Sequence, residues 1–436
     1  MKVLVVGGGG REHALCWKLA QSPRIKKLYC APGNAGTALT HGAKCGQVEN
    51  VDIAADNLDL LARFVHRERI DLTVVGPEVP LVMGIADRWE RESWACFGPQ
   101  LRGAELEGSK AVTKTLLRKH GIPTADFQIF TDPEKALTYC VEKGGPMVVK
   151  ADGLAAGKGV VMAKDGEEAA AACKAMMLDG VFGEAGRKVV IEETLKGEEA
   201  SILALTDGET LAVLPSAQDH KRVGDGDSGL NTGGMGAYSP APVVTSEIES
   251  RIIREILVPT LHALRREERH FKGVLYAGVM LTESGPKVLE YNVRFGDPEC
   301  QCILPRLKGD FLDTIEQILQ GKLADNGIEV SPESAVCVVM AAGGYPGNYE
   351  KGTVIEGLRD LDGQVDAPHV TVFHAGTAKS AQGKVVTNGG RVLGVTALGA
   401  DLRQAIERAY VGVGQIKFEG AHYRKDIGAK GLARKS

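Results

Sequence analysis

Short apolar runs alternate with amphipathic stretches along this chain, and the alternation sets out its elements. Val3–Val6 is a four-residue apolar run closed by Gly7-Gly-Gly-Gly10, after which a helical pattern covers Arg11–Gln21. Lys27–Ala31 and Leu72–Val75 read as further buried strands, with a helix over Asn57–Glu68 between them. Strands alternating with helices predict a parallel sheet, with ligands gathering at the carboxyl ends of its strands. Three glycine-bearing loops fall at such ends: 7–10, Pro32–Gly36 and Gly76-Pro77-Glu78.

Gly98-Pro99 closes that unit. Ser109 then caps a helix running from Lys110 to His120, and Gly121-Ile-Pro123 stops it. Residues 124–193 form a compact unit. It has a strand near Phe127–Phe130, a helix opened by Asp132-Pro133, a hairpin over 146–163, an alanine-rich helix over Glu167–Leu178 and a strand over Lys188–Glu193. From Gly197 to Gly327 the strands Ala200–Leu205, Val274–Leu281 and Lys287–Asn292 surround one long helix, Ser246–Arg266. Beyond it come the strands Ala335–Ala341, Val370–His374 and Arg391–Ala397 and a helix over Asp401–Tyr410. The expected architecture is α/β and α+β, in several domains. A parallel α/β domain covers 1–103, a central domain covers 104–328 with a mobile lid at about 124–193, and a small β-rich domain covers 329–436.

Composition narrows the function classes. A net charge of -4 leaves no basic footprint for nucleic acid, and the one basic run, Arg424 to Lys435, reads as a solvated tail. The apolar runs are far too short to span a membrane, and Met1–Gly7 is a strand entering a turn, not a signal peptide. Nine dispersed cysteines without a CxxC fit reduced thiols in a cytoplasm. Cys300 and Cys302 lack the second pair or histidine that would complete a metal site.

The chemistry concentrates in a few stretches. Lys150 ends a strand, and Gly153, Gly157, Lys158 and Gly159 follow before the next strand begins. Glycines let backbone amides approach an anion and the lysines oppose its charge, so this is a phosphate cradle. Its spacing is not that of a Walker loop. Glu192, Glu193 and Leu195 leave a strand where an adenine edge could be met, and Glu199 is placed for ribose hydroxyls. Glu290, Asn292 and Arg294 alternate on one strand face. The two oxygen donors suit Mg²⁺, and the guanidinium offers a fork for a carboxylate. Gln218–Arg222 followed by the glycine-rich run Gly224–Gly236 reads as a substrate-ordering loop. The Gly7–Gly10 loop fails the dinucleotide spacing at Glu12 and His13, so Arg11 and the helix end behind it favour a phosphorylated sugar over NAD.

Lys150, Gly157-Lys158-Gly159, Glu192-Glu193, Glu199 and Glu290-Tyr-Asn292 resemble the ATP-grasp motif set. The strings Gly8–Ala14, Ala31–Gly36, Ala151–Gly159, Gln218–Arg222, Asn231–Tyr238, Arg294–Glu299, Asn388–Arg391 and Tyr423–Gly428 resemble the phosphoribosylamine–glycine ligase family over essentially the whole chain. The resemblance implies ATP-dependent ligation of glycine to 5-phosphoribosylamine through glycyl phosphate, in purine synthesis. It places Lys110, Lys150, Gly157, Lys158, Gly159, Glu192, Glu193, Leu195 and Glu199 at ATP, and Glu290 and Asn292 at Mg²⁺ or Mn²⁺. Arg294 and Asp219 fall to glycine, and Gly9, Arg11, Gly76, Pro77, Glu78 and Asp297 to the ribosylamine. One departure is that Val274–Leu281 has no carboxylate where many relatives carry another metal ligand. No nucleic-acid or membrane partner is expected, and the chain is read as a monomer or weak homodimer. The rival readings are another ATP-grasp carboxylate–amine ligase of purine metabolism, a nicotinamide-dependent oxidoreductase and a non-catalytic nucleotide-binding module.

Overall fold

The computed structural model describes residues 1–42, 44–154, 159–323, 328–358 and 369–434, and in it Lys2–Gly7 is the middle strand of a five-stranded sheet. The order is Glu49–Asn50, Lys27–Pro32, Lys2–Gly7, Leu72–Val75, Ala95–Phe97, and every pairing is parallel. Val3, Leu4, Val5 and Val6 are wholly buried, as a strand covered on both faces must be. The chain leaves Lys2–Gly7 for one neighbour and returns on the other side. The loops after Gly7 and after Val75 therefore lie side by side at the switch point, where such sheets bind ligands.

Behind this sheet stands an antiparallel one, ordered Leu211–Val213, Glu198–Thr206, Gly273–Thr282, Gly285–Asn292. Leu4 and Val6 share one core with Ile202, Leu275 and Tyr291, so the two sheets are welded by apolar burial. The last strand carries a bulge: Gly278 pairs with Glu290 but Val279 pairs with Val288, which leaves Leu289 as the extra residue. The bulge lets Val288 and Tyr291, three apart, both enter the core. Glu290 and Asn292 consequently face the other way, half-buried. Arg294 continues that alternation just past the strand's end. The expected long helix runs as Ser246–Ile252, a π turn at Ile253–Leu257, and Val258–Arg266. Pro259, which lacks an N–H and crowds the preceding turn, explains the wider turn.

Residues Phe127–Phe130, Met147–Ala151, Val160–Ala163 and Val189–Glu193 form a separate antiparallel sheet backed by the helices Pro133–Lys143 and Gly166–Met177. Its core, built on Ala136, Cys140, Val149, Cys173 and Ile191, is its own.

The third sheet departs from the expected division of the chain. It is ordered Gln218–Asp219, Gly236–Ser239, Ser334–Ala341, Arg391–Gly399, Val370–His374, with the helix Leu402–Gln415 packed on it. Two of its strands thus come from the stretch expected to be one long glycine-rich loop. That stretch also forms a hairpin of Arg222–Gly224 with Ser228–Asn231. Nor is the basic C-terminal run a solvated tail, because Arg424 is 0% exposed.

Candidate active site

The small antiparallel sheet meets the central one through side chains of its inner strands, Lys150 among them. The Lys150 ammonium donates to the Leu289 carbonyl at 3.2 Å and pairs with Glu192 at 3.0 Å. Lys287 and Glu193 make a second tie at 3.0 Å, and Glu193 also accepts from the Asp126 amide at 3.1 Å. Lys110 reaches across to the Gly153 carbonyl at 3.0 Å. Burial would raise the Glu290 carboxyl, but Lys221, Lys150, Lys110 and Arg294 outweigh it and hold it below its usual value. Burial pulls Lys110 down, with Glu290 opposing. The carboxylate is therefore charged and ringed by cations, at the seam where a polyphosphate could enter between the two sheets.

The nucleotide residues are not all placed as expected. Glu192 does not present its carboxylate to an open cleft. It is 3% exposed, held by both Lys150 and Lys114 at 3.0 Å, with its Oε1 buried and unpartnered among the described residues. Lys114, which also donates to Thr124 Oγ1 at 2.7 Å, is pushed down to about 8 by burial, against the pull of Glu192. Sequence reasoning missed it, although it lies four residues after Lys110 on the same helix face. It also missed Asp152, which accepts from Ser109 Oγ and the Ala111 amide, each at 2.9 Å, and pairs with Lys188 at 3.0 Å. Asp152 thereby fixes the start of the glycine loop to a helix N-terminus. Leu195 and Glu199 are half-buried on the chain leaving the small sheet, and Glu199 pairs with Lys221 at 2.6 Å. Gly157 and Lys158 lie outside the described residues. Gly159 closes the hairpin by accepting from the Ala151 amide at 2.8 Å.

Around Arg294 the acids converge. Its Nη2 donates to Glu107 at 2.7 Å, its Nε to Glu78 at 3.3 Å and its Nη1 to the Phe295 carbonyl at 3.2 Å. Of the five N–H bonds of a guanidinium, these contacts leave two. Glu107 also accepts from the Val293 amide at 2.8 Å, and nothing in its sequence context signalled it. The two carboxyls respond differently to one guanidinium. Burial raises Glu107, whose side chain is 8% exposed, whereas at Glu78, 27% exposed, Arg294 and Arg11 overcome burial and lower it. Across the site Asp219 is half-buried. Burial, and then Glu299, Glu199 and Glu290 against the opposing Lys221, push it up to about 7. Glu299 is itself held from beneath by Tyr276 at 2.5 Å and Ser201 at 3.2 Å.

The N-terminal loop is built differently from expectation. Arg11 is turned into the protein: it is 7% exposed, its Nε donates to Glu12 at 2.6 Å and its Nη1 to the Phe295 carbonyl at 3.1 Å. Glu12 also accepts from the Gly9 amide at 2.5 Å, and a Cβ on Gly76 would stand 2.2 Å from it. Gly9 and Gly76 are thus walls of a buried Arg11–Glu12 pair. Asp297 Oδ2 lies 3.5 Å from the Arg11 amide, at the helix end assigned to a phosphate, so an anion there would meet a like charge. Asp297 is held by Gln301 at 2.8 Å and Arg391 at 3.4 Å, and Arg391 donates to the Gly233 carbonyl at 2.5 Å. Pro77 precedes the short helix Glu78–Val82, which aims Glu78 at Arg294.

A seam between two antiparallel sheets, lined by lysines on one side and by a carboxylate and an amide on the other, defines an ATP-grasp enzyme. The same overall fold occurs in the biotin carboxylase domain of Hydrogenobacter thermophilus 2-oxoglutarate carboxylase, solved with magnesium ADP. The TM-score is 0.73 at 15% identity, over 97% of this chain and 91% of that one. Residues 1–107, 108–300 and 335–430 match the N, ATP-grasp (A) and C domains of phosphoribosylglycinamide synthetase. The phosphoribosylamine–glycine ligase of Vibrio vulnificus (strain CMCP6) is 50% identical over 435 residues, which is 100% of this chain and 99% of that one. The solved phosphoribosylamine–glycine ligase of Thermotoga maritima is 34% identical with a TM-score of 0.83, over 98% of this chain and 100% of that one. The chain belongs to the phosphoribosylglycinamide synthetase family.

Proposed function

We infer that this chain joins glycine to 5-phosphoribosylamine at the expense of ATP, forming glycinamide ribonucleotide, ADP and phosphate in purine biosynthesis. The observation that carries the reading at the site is the meeting of Glu290, Asn292 and Arg294 with Lys110 and Lys150 at one seam. Glycine's carboxylate is a poor electrophile because its oxygen leaves badly. Moving the γ-phosphoryl of ATP onto that oxygen gives glycyl phosphate and ADP. The ribosylamine nitrogen then attacks the acyl carbon, phosphate leaves, and the nitrogen gives up a proton.

Such transfer rests on positioning and charge neutralisation. Lys110 and Lys150 supply fixed positive charge, joined by Lys158 from the glycine loop. Glu290 and Asn292 offer one anionic and one neutral hard oxygen, a donor set that fits Mg²⁺ or Mn²⁺ with substrate phosphates and water filling the remaining positions. Among the described residues no group of three or more His, Cys, Asp or Glu is placed to hold a metal ion by itself. When bound, the ion would neutralise phosphate charge. Arg294, with two N–H bonds to spare, takes glycine's carboxylate, and the acids about Asp219 take its ammonium. Leu195 and the backbone beside Glu193 meet the adenine edge, and Glu199 the ribose. Gly9, Gly76, Pro77, Glu78 and Asp297 frame the ribosylamine, where the carboxylates suit hydroxyl and amine donors better than a phosphate.

Because the unit over about 124–193 has its own core, it can rotate as a body and act as a lid. The domain division at 103 and 328 follows the same reading, with the third sheet borrowing strands across the second boundary. Nine free cysteines fit a cytoplasmic enzyme, and among the described residues no helix is long and apolar enough to cross a membrane. A monomer or weak homodimer is consistent with a site built within one chain. The test is ADP release with ATP, glycine and freshly formed phosphoribosylamine, each omitted in turn. Release that ignores glycine would refute the reading.

A further inference from the structure

The C-terminal segment grips a hairpin some two hundred residues earlier. Arg424 donates through Nη1 to Asp227 at 2.8 Å and to the Arg222 carbonyl at 3.2 Å, and through Nε and Nη2 to both oxygens of Asp426 at 2.7 Å. Asp426 in turn accepts from the Gly226 amide at 2.9 Å, and the Lys425 amide donates to Asp225 at 2.7 Å. His422 Nε2 bonds the Val223 carbonyl at 2.8 Å, and Lys430 pairs with Asp227. The turn of the hairpin 222–231 is thus held at residues 223, 225, 226 and 227 by one strap.

Asp227 needs that grip. It sits at φ 55, a left-handed backbone that a non-glycine residue adopts at a cost of about 1–3 kcal/mol. Burial would raise its carboxyl, but Lys430 and Arg424 pull it below the usual range, so the strap favours the ionised, bonded form.

The hairpin's base carries site residues. Thr232 closes it by donating its amide and hydroxyl to the Lys221 carbonyl at 2.7 and 2.9 Å. Lys221 pairs with Glu199, and Asp219 lies two residues before it. His220 between them is 1% exposed, and neither of its ring nitrogens has a partner among the described residues. Side-chain anchoring of this stretch therefore does not come from His220. Its conformation is set by the backbone bonds of the hairpin and the adjoining strand, together with the Lys221–Glu199 pair and the Gln218 side-chain amide, which donates to the Glu199 carbonyl at 2.8 Å.

We propose that Arg424 is a positioning residue for ligation, locking the hairpin 222–231 and through it setting Asp219 and Lys221 against the glycine side of the seam. The proposal rests on the functional reading above. Its test is the full-length chain carrying Arg424→Met or Arg424→Lys, compared with wild type by hydrogen exchange over 222–231, by glycine titration of ADP release, and by direct binding of a non-hydrolysable ATP analogue. Losing charge-assisted bonds of this kind should raise the glycine KM by roughly 10–100-fold. Exchange protection over the hairpin should vanish and analogue affinity should stay within about twofold. Lys, which keeps the charge but not the fork, should fall between.

A freed hairpin with an unchanged glycine KM overturns the proposal, as does analogue affinity falling in step with glycine use. If Arg424→Met fails to fold, Asp227→Asn on the exposed turn must still show a smaller KM shift in the same direction, and its absence overturns the idea. If wild type itself shows no glycine-dependent ADP release, the functional reading fails. The exchange comparison then decides alone, and unaltered protection overturns the strap.

Discussion

Replacing Glu107 by Gln tests whether Arg294 is held in place by its acids. Each Glu107 oxygen accepts one bond, from the Val293 amide at 2.8 Å and from Arg294 Nη2 at 2.7 Å, in a side chain that is 8% exposed. A glutamine amide has one accepting end. Whichever way it turns, its NH₂ faces a donor that then goes unpaired. A hydrogen bond to a charged group is worth about 1.5–3 kcal/mol, and an unsatisfied buried donor costs about 1–3 kcal/mol. Partial relaxation brings the sum to about 3 kcal/mol, which the fold can absorb given the usual 5–15 kcal/mol of stability. Expressed in the reaction, that is roughly 10²-fold, the loss also expected when a reacting group is misplaced by about an ångström. Glu78→Gln is the internal control. Its bond to Arg294 is longer, at 3.3 Å, and its side chain is 27% exposed, so it should cost only about tenfold. The assay is kcat/KM for glycine from ADP release, beside ATP affinity by calorimetry and a melting curve. ATP affinity should barely move. A folded Glu107→Gln enzyme with wild-type glycine use would show that Arg294 does not depend on this clamp.

Glu290→Gln should cut turnover by roughly 10²–10³-fold and shift the Mg²⁺ optimum upward, which a metal titration would check. Lys150→Met strips Glu192 of one of its two cations and the phosphates of one of their three lysines, so ATP affinity and turnover should both fall while the glycine KM holds; an ATP-binding titration beside ADP release decides. Asp219, pushed up to about 7, is above its unfolded value near 4, so its contribution to stability is fully present below about pH 4 and is lost as pH rises through about 7. Asp219→Asn should therefore gain on wild type in urea midpoint between pH 5 and pH 8, without ligands, and a pH-independent difference would refute the assignment.

Local pattern carried the elements, and non-local pairing decided the rest. Ser109 and Asp132 cap helices where their sequence says they should, because an N-cap needs only neighbours within a turn. The face shared by Glu290 and Asn292 was legible for a partly different reason. Period-two alternation gives their common face, but which face it is depends on the Leu289 bulge, a feature of pairing with Gly273–Thr282 that no single strand announces. Arg11 shows the limit more sharply. A cation after a glycine run suggests a phosphate, yet its partners are Glu12 beside it and a carbonyl almost three hundred residues on.

The same physics accounts for the two largest misreadings. A run such as Gly224–Gly236, with 6 glycines in its 13 residues, has no apolar face to bury and so reads as loop. A basic stretch such as Arg424–Lys435 has no acid at helical spacing except Asp426 and so reads as solvent-facing. Apart from the Arg424–Asp426 pair, each finds its partners in the other. Asp227 supplies the second acid on the buried Arg424, Asp225 takes the Lys425 amide, and the strap supplies the bonds that turn a glycine run into a hairpin. Complementary deficits of that kind are invisible to any reading by windows, since neither segment is anomalous alone. They become legible only as a pair: a charge that cannot be buried unaided, and a backbone that cannot be ordered unaided, some two hundred residues apart.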